Sequence, residues 1–294
     1  MPTTTRNTVE EHVYAGVLTE ILHEVPYNSA AQFHEYYGTG AVPRRLGMAC
    51  VWQSFEAGRL VAERAGGEAV FRVGGRHASA VFTEADTLTV LDPYLMHREP
   101  LRFDLGHQDA GPTLRVEADA YPVRTRPDGS PAPSKVRATW RRSDGAILLQ
   151  YLRYSPAKDE DVTYRAFTMR TDSVVPSVPP PAPLVRRLLL HPEQNNFSIR
   201  TVHRDDHQVR ELVLPFTGRP RQQLVDARHL IVRDNQGRVF RHGTGDFARE
   251  LELIADAVRG TTEDMVGQLL TAAALYDSKA PAAPALPEYS LEDA

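Results

Sequence analysis

Apolar positions recur at helical spacing in the first part of the chain and switch to strand spacing after about residue 68. Val9, Val13, Val17, Leu18, Ile21 and Leu22 share one face of a 3.6-residue period. Thr8 can cap this helix, with Glu11 three residues on completing a capping box, and Pro26 stops it. A loop holding Tyr27, Asn28, His34, Tyr36 and Tyr37 then passes Gly38, Gly40 and Pro43. The pattern predicts a second helix from near Cys50 to about Arg64, with Phe55, Gly58, Leu60 and Val61 inward and Gly66-Gly67 as its terminator.

From 69 onward the period is two. Strands are predicted at 69–73, 77–83, 87–91, 114–121, 136–142, 147–154 and 162–169, with Asp128-Gly129 and Asp144-Gly145 as hairpin-type turns. This middle block reads as an antiparallel sheet or barrel. The run PSVPPPAP at 176–183 is a stiff connector or a rigid loop across a surface. Further strands are expected over 197–241, with a turn at Asn235-Gln236-Gly237, and one helix over 247–270. That helix would bury Leu251, Leu253, Ile254, Val258, Met265, Val266 and Leu269. The end, rich in Ala, Pro and acid, is expected to be disordered. The division that results is 1–68 helical, 69–175 strand-rich, 176–196 connector, 197–275 C-terminal α/β part and 276–294 tail. No internal repeat is visible.

Composition narrows the class. With 294 residues, 41% apolar and 24% charged, the chain has the make-up of a globular protein with an ample core. A net charge of −4 suggests neither a nucleic-acid surface nor an acidic tail. A single cysteine excludes an internal disulfide and any Cys-rich metal site. No apolar run approaches the length of a membrane span, and the polar start carries no secretory h-region. A cytoplasmic enzyme with a reduced thiol is the expected setting.

That cysteine is followed by His77 on one predicted strand and Asp92 at the end of the next. If Glu84-Ala85 is a two-residue loop, His77 and Asp92 stand directly opposite, with Cβ atoms about 5 Å apart. A one-residue slip would put them on opposite faces. At a helix N-terminus, unpaired N–H groups and the dipole favour a Cys50 thiolate. His77 would complete an imidazolium–thiolate pair, Asp92 would fix its tautomer, and backbone N–H groups near Cys50 would form an oxyanion hole. Taken singly, such a cysteine is ordinarily a small buried hydrophobe, such a histidine structural, and Asp before Pro a strand-ending turn. Together they make a candidate catalytic triad.

The order Cys50, His77, Asp92 resembles that of the arylamine N-acetyltransferase and transglutaminase-like superfamily of Cys-His-Asp enzymes. The His77-to-Asp92 spacing is similar to that of the acetyltransferases. So are the segment His23-Glu24-Val25-Pro26-Tyr27-Asn28 and the stretch Leu230-Ile231-Val232-Arg233-Asp234-Asn235-Gln236-Gly237. Around the nucleophile the chain reads Leu46-Gly47-Met48-Ala49-Cys50, with one glycine of the acetyltransferases' pair. Trp52 and Ser54 stand where they carry Glu and Asn, and Asp92-Pro93 looks more like the transglutaminase core. The resemblance spans roughly 8–275 as architecture but three positions as chemistry. It implies an α+β fold: an N-terminal helical part, a central antiparallel β-barrel, and C-terminal strands plus helix.

It also implies a cysteine acyltransferase making an amide by ping-pong chemistry. No tightly bound cofactor is expected. An acyl thioester of coenzyme A or of an acyl carrier protein would be the donor and co-substrate, and a small-molecule amine the acceptor, with neither nucleic acid nor membrane as partner. Alternatives are a transglutaminase-like amidase or hydrolase, and an inactive binding module on the same fold. Tyr27, His34, Tyr36, Tyr37 and Trp52 either line a pocket near Cys50 or form interdomain core; Tyr27, Tyr37 and Trp52 are the substrate-binding candidates. His191, His203 and His207 lack the spacing of a metal site, and Gly74-Gly75 is a turn, not a phosphate loop.

Overall fold

In the computed structural model of the chain, residues 9–38, 40–106, 111–216 and 224–281 are described. The fold is mixed α+β, with six α-helices and three antiparallel sheets among these residues. No described helix is long and apolar enough to cross a membrane.

The first helix, α1 (Glu11–Glu24), buries Val17, Leu18 and Ile21. Thr8, expected to cap it, lies outside the described residues, and Glu10 occupies the cap position without a side-chain hydrogen bond. A two-residue strand, β1 (Tyr27–Asn28), and a short helix, α2 (Ala31–Tyr37), follow where a loop was expected. Helix α3 (Cys50–Ala65) starts at the cysteine and ends at Gly66, whose φ of +69° supplies the left-handed terminator. It packs on α1 through Ala57, Leu60 and Val61.

Next come β2 (Ala69–Gly74), β3 (His77–Glu84), β4 (Thr87–Leu91) and β5 (Leu101–Asp104), paired in that order. Then β6 (Thr113–Thr125), β7 (Pro131–Arg141), β8 (Ile147–Ser155) and β9 (Glu160–Met169) form a second four-stranded sheet. The expected barrel is not closed. The two sheets share one apolar core, in which Val81, Val90 and Phe103 of the first meet Val136, Ala138 and Leu149 of the second. Each buries one face against the other, as in a sandwich. The free edge of β2 is taken by the chain leaving β9: Val73 donates to Ser173 at 2.7 Å and Val175 to Phe71 at 2.9 Å. With that edge occupied, β9 does not pair with β2 and the circle stays open.

The proline-rich segment contains a helix that the connector reading missed, α4 (Ala182–Leu189), which buries Leu184, Val185, Leu188 and Leu189. Strands β10 (Asn196–Val202), β11 (Val209–Pro215), β12 (Ile231–Arg233) and β13 (Val239–Arg241) then form a sheet in the order β1-β10-β11-β12-β13. The expected turn at 235–237 joins β12 to β13. Instead of one closing helix there are two, α5 (Gly245–Ala257) and α6 (Thr262–Lys279). Arg259 adopts φ of +50°, and the Thr261 hydroxyl accepts from the Asp264 amide at 3.1 Å, capping a new start. Of the tail expected at 276–294, residues 276–279 instead extend α6, with Tyr276 buried in the core, and 282–294 lie outside the described residues.

Strand β1 carries the N-terminal part into the last sheet. Tyr27 pairs with Arg200 and Asn28 with Ile199, while Tyr27 also bridges to Met48 just ahead of the cysteine. The loop from β1 to α3 is thus fastened at both ends.

Candidate active site

Cys50 is placed by a tightly held approach loop. The Asn28 amide donates to the Met48 carbonyl at 2.8 Å, the Met48 amide to Pro26 at 3.0 Å, and the Ala49 amide to the Gln32 side chain at 2.7 Å. Gly47, with φ of +94°, lies against the Pro26 carbonyl so closely that a Cβ there would overlap it. The cap residue Ala49 has no side-chain acceptor. The first-turn N–H groups of α3 therefore have no partner within the helix and no capping side chain, and point to where an anion would be held. Ser54, one turn on, donates to the Ala78 carbonyl at 2.7 Å, clamping the cysteine helix to the histidine strand.

His77 opens β3 and is almost fully buried. Its Nε2 lies 2.7 Å from Asp92 Oδ2. Its Nδ1 is buried without a hydrogen-bond partner; the Cys50 thiol, near enough to raise the ring's proton affinity, donates to the Arg76 carbonyl at 4.0 Å. Phe167 covers the imidazole with centroids 4.2 Å apart, and Tyr94 flanks it at 5.1 Å. Burial alone would lower the proton affinity of His77, but the Asp92 carboxylate and then the Cys50 thiol reverse this, raising it to about 10. Asp92 is fully buried; burial works to raise it, and His77, then the Ser79 hydroxyl, more than offset that and hold it below the usual carboxylate range.

The register that brings the pair together differs from the expected one. Ala80 pairs with Leu91 and Glu84 with Thr87, so the two-residue loop is Ala85-Asp86. Ala85 takes φ of +36° there. Moving the loop by one residue shifts every pairing by two, which preserves the face. His77 and Asp92 are accordingly diagonal neighbours, not direct ones, and Ser79 comes opposite Asp92. The Ser79 hydroxyl donates to Asp92 Oδ2 at 2.5 Å. The Asp92 amide donates to His97 Nε2 at 2.9 Å, and His97 Nδ1 lies 2.6 Å from the Glu99 carbonyl. With Nε2 accepting, Nδ1 carries the proton, so His97 is a neutral imidazole. Burial lowers its proton affinity accordingly.

Comparison with protein-family models, curated proteins and solved structures gives no match.

Cys50 and His77 open onto a cavity of about 560 Å³, within the range of small-molecule sites. Tyr27 and Trp52 line it, as expected of substrate-binding candidates; Tyr37 does not, and packs on Phe33 with ring centroids 6.0 Å apart. Tyr36 and His34 are also outside the lining. His34 is directed to the Gln268 carbonyl at 3.1 Å. Burial, and then the neighbouring Tyr94 and Cys50, push the Tyr27 phenol up, so it stays neutral.

The far wall comes from Leu188 and Leu189 of α4 and from residues 193–195. The Arg76 guanidinium grips the Gln194 side chain across the opening. The proline run leads into this wall; it does not itself line the cavity.

The sequence reading missed Ser79, Tyr94, His97 and Phe167. Ser79 was findable, since it shares the β3 face of His77 two residues away. The other three approach across turns or from the second sheet, and no local pattern marks them. Among the described residues no His, Cys, Asp or Glu cluster could hold a metal. His203 pairs with Asp206 at 3.3 Å.

Proposed function

We propose that the protein is a cysteine acyltransferase that makes an amide from an acyl thioester and a small-molecule amine. The observation that carries this reading is the buried His77–Asp92 pair lining the same cavity of about 560 Å³ as Cys50, the first residue of α3, whose thiol raises the proton affinity of His77. The cavity size favours small reactants over a protein side chain as acceptor.

Cys50, as thiolate, attacks the thioester carbonyl. The first-turn N–H groups of α3 face the oxygen that gains charge. The tetrahedral adduct collapses, the C–S bond to the donor breaks, and the departing thiolate takes the His77 proton. The neutral imidazole then removes a proton from the incoming amine as it attacks the acyl-Cys50 carbonyl. Breaking the Cys50 C–S bond releases the amide and restores the imidazolium–thiolate pair. Asp92 holds Nε2, so that Nδ1 is the atom that moves the proton.

The test is intact-protein mass after mixing with a panel of acyl thioesters. A gain equal to the acyl group, lost in Cys50→Ala and discharged by an amine, is expected. No gain with any thioester would overturn the reading and shift the balance toward an amide substrate resolved by water.

A further inference from the structure

Beside the main cavity lies a smaller one of about 40 Å³, sharing Tyr27, Arg76, Tyr94 and Arg165 with it. That volume holds roughly three waters, or one carboxylate or phosphate oxygen cluster. Its lining includes six arginines: Arg76, Arg124, Arg153, Arg165, Arg200 and Arg233. They come from both four-stranded-sheet and C-terminal-sheet elements. Two carboxylates share this lining, Glu211 and Asp234. Asp234 is occupied, with Oδ2 on Arg238 at 2.6 Å and Oδ1 accepting the Gln236 and Arg238 amides. Glu211 acts on both Arg165 and Arg200. Arg200 is fixed by the Tyr94 carbonyl and stacks over the Tyr94 and Tyr27 rings at 4.8 and 5.2 Å. Arg124 donates to the Tyr154 carbonyl at 2.6 Å and Arg153 stacks over Tyr164, so the guanidinium groups that also line the main cavity are Arg76 and Arg165, two forks placed to receive a carboxylate or phosphate from that side.

We infer that the junction of the two cavities, at Arg76 and Arg165, seats an anionic group of the substrate, a carboxylate or a phosphate, next to Cys50. Arg200 behind them adds field without moving. This rests on the acyl-transfer reading for its chemistry but not for its test. In that reading the anion belongs either to the acyl group or to the phosphate of a pantetheine arm, and a guanidinium fork fits both.

The experiment compares alkylation of Cys50 by iodoacetate, which is anionic, and iodoacetamide, which is neutral. The iodoacetate-to-iodoacetamide rate ratio is expected to fall about tenfold in Arg165→Gln, the loss of one charge-assisted contact. Arg76→Gln, whose side chain reaches Gln194 on the far wall of the cavity, provides the second variant should Arg165→Gln not fold. An unchanged ratio in both variants overturns the anion seat, because the His77 charge acts equally in all of them. Thioesters then separate the sources. Faster Cys50 acylation by a succinyl than an acetyl pantetheine thioester, dependent on Arg165, places the anion in the acyl group. An advantage of acetyl-4′-phosphopantetheine over acetyl-pantetheine places it on the arm. An Arg165-dependent alkylation ratio without acylation by any thioester keeps the anion seat and overturns the acyl-transfer reading instead.

Discussion

Ser79 and His77 reach the same carboxylate oxygen, Oδ2 of Asp92, at 2.5 and 2.7 Å. The hydroxyl thus helps to hold the carboxylate charged and aimed. Ser79→Ala is expected to destabilise the fold by about 1.5–3 kcal/mol, the range for a bond to a charged partner. In an Asp92→Asn background the same change should cost less, because the pair is coupled. Urea unfolding of the four proteins of this cycle measures the coupling; full additivity would show that the contact does not matter.

Asp92→Asn should keep the fold but leave His77 free to take the wrong tautomer. The acylation rate of Cys50 is expected to drop by roughly 10³-fold or more, as when the orienting carboxylate of a nucleophilic triad becomes an amide. Single-turnover mass spectrometry reads this directly. A loss below tenfold would mean that Asp92 has no orienting role.

Three groups of the site contribute to the pH dependence of stability. His77 is raised from an ordinary value near 6.5 to about 10. Its contribution is complete below the unfolded value and is lost as pH rises from about 6.5 through about 10. Asp92 is lowered, so its contribution is present above the ordinary carboxylate range and lost as pH falls through the folded value. His97 is lowered by burial; the unfolded chain takes up a proton that the folded one refuses, so stability also declines below about 6.5. Urea midpoints should therefore peak near neutrality. Asp92→Asn should flatten the alkaline limb.

His97→Phe should keep the ring's volume and remove an acceptor from the Asp92 amide and a donor from the Glu99 carbonyl. Leaving those buried groups unpaired should cost about 1–3 kcal/mol each, and the acid limb of the stability profile should become shallower. Thermal unfolding across pH 5 to 7 tests both at once.

Gly47→Ala introduces a Cβ against the Pro26 carbonyl at a φ that disfavours it. Strain of at least about 2 kcal/mol is expected. Because Gly47 stands two residues ahead of Ala49, the relief of that strain should shift the α3 start and slow Cys50 alkylation. Equal alkylation rates in a folded variant would separate this glycine from Cys50.

The parts of the site that could be read from sequence were those written in local periods. The switch from helical spacing to alternation placed Cys50 at a helix start and His77 and Asp92 on successive strands. The hairpin parity survived a misplaced loop, because a loop shift of one residue changes the pairing by two. What could not be read depended on distant chain. Tyr94 and Phe167 flank His77 from a turn and from the second sheet, and residues 173–175 take the β2 edge while β5 and β6 also stay unpaired with each other. Helix α4 was obscured by the prolines around it, although Leu184, Val185, Leu188 and Leu189 have helical spacing. The α5–α6 break was marked by Gly260 and Thr261, signals that a continuous apolar stripe outweighed.

Asn28 donates from one amide nitrogen to Leu46, just ahead of Gly47, and to the Gln268 side chain of α6, at 2.7 and 2.8 Å. The residue that shapes the approach to Cys50 is therefore held by a helix made hundreds of residues later in synthesis. While the chain is still emerging from the ribosome, the thiol, imidazole and carboxylate already exist, but the β1–α3 loop has neither its β10 partner nor its α6 anchor. The approach to Cys50 thus takes its final shape only once the last helix is in place.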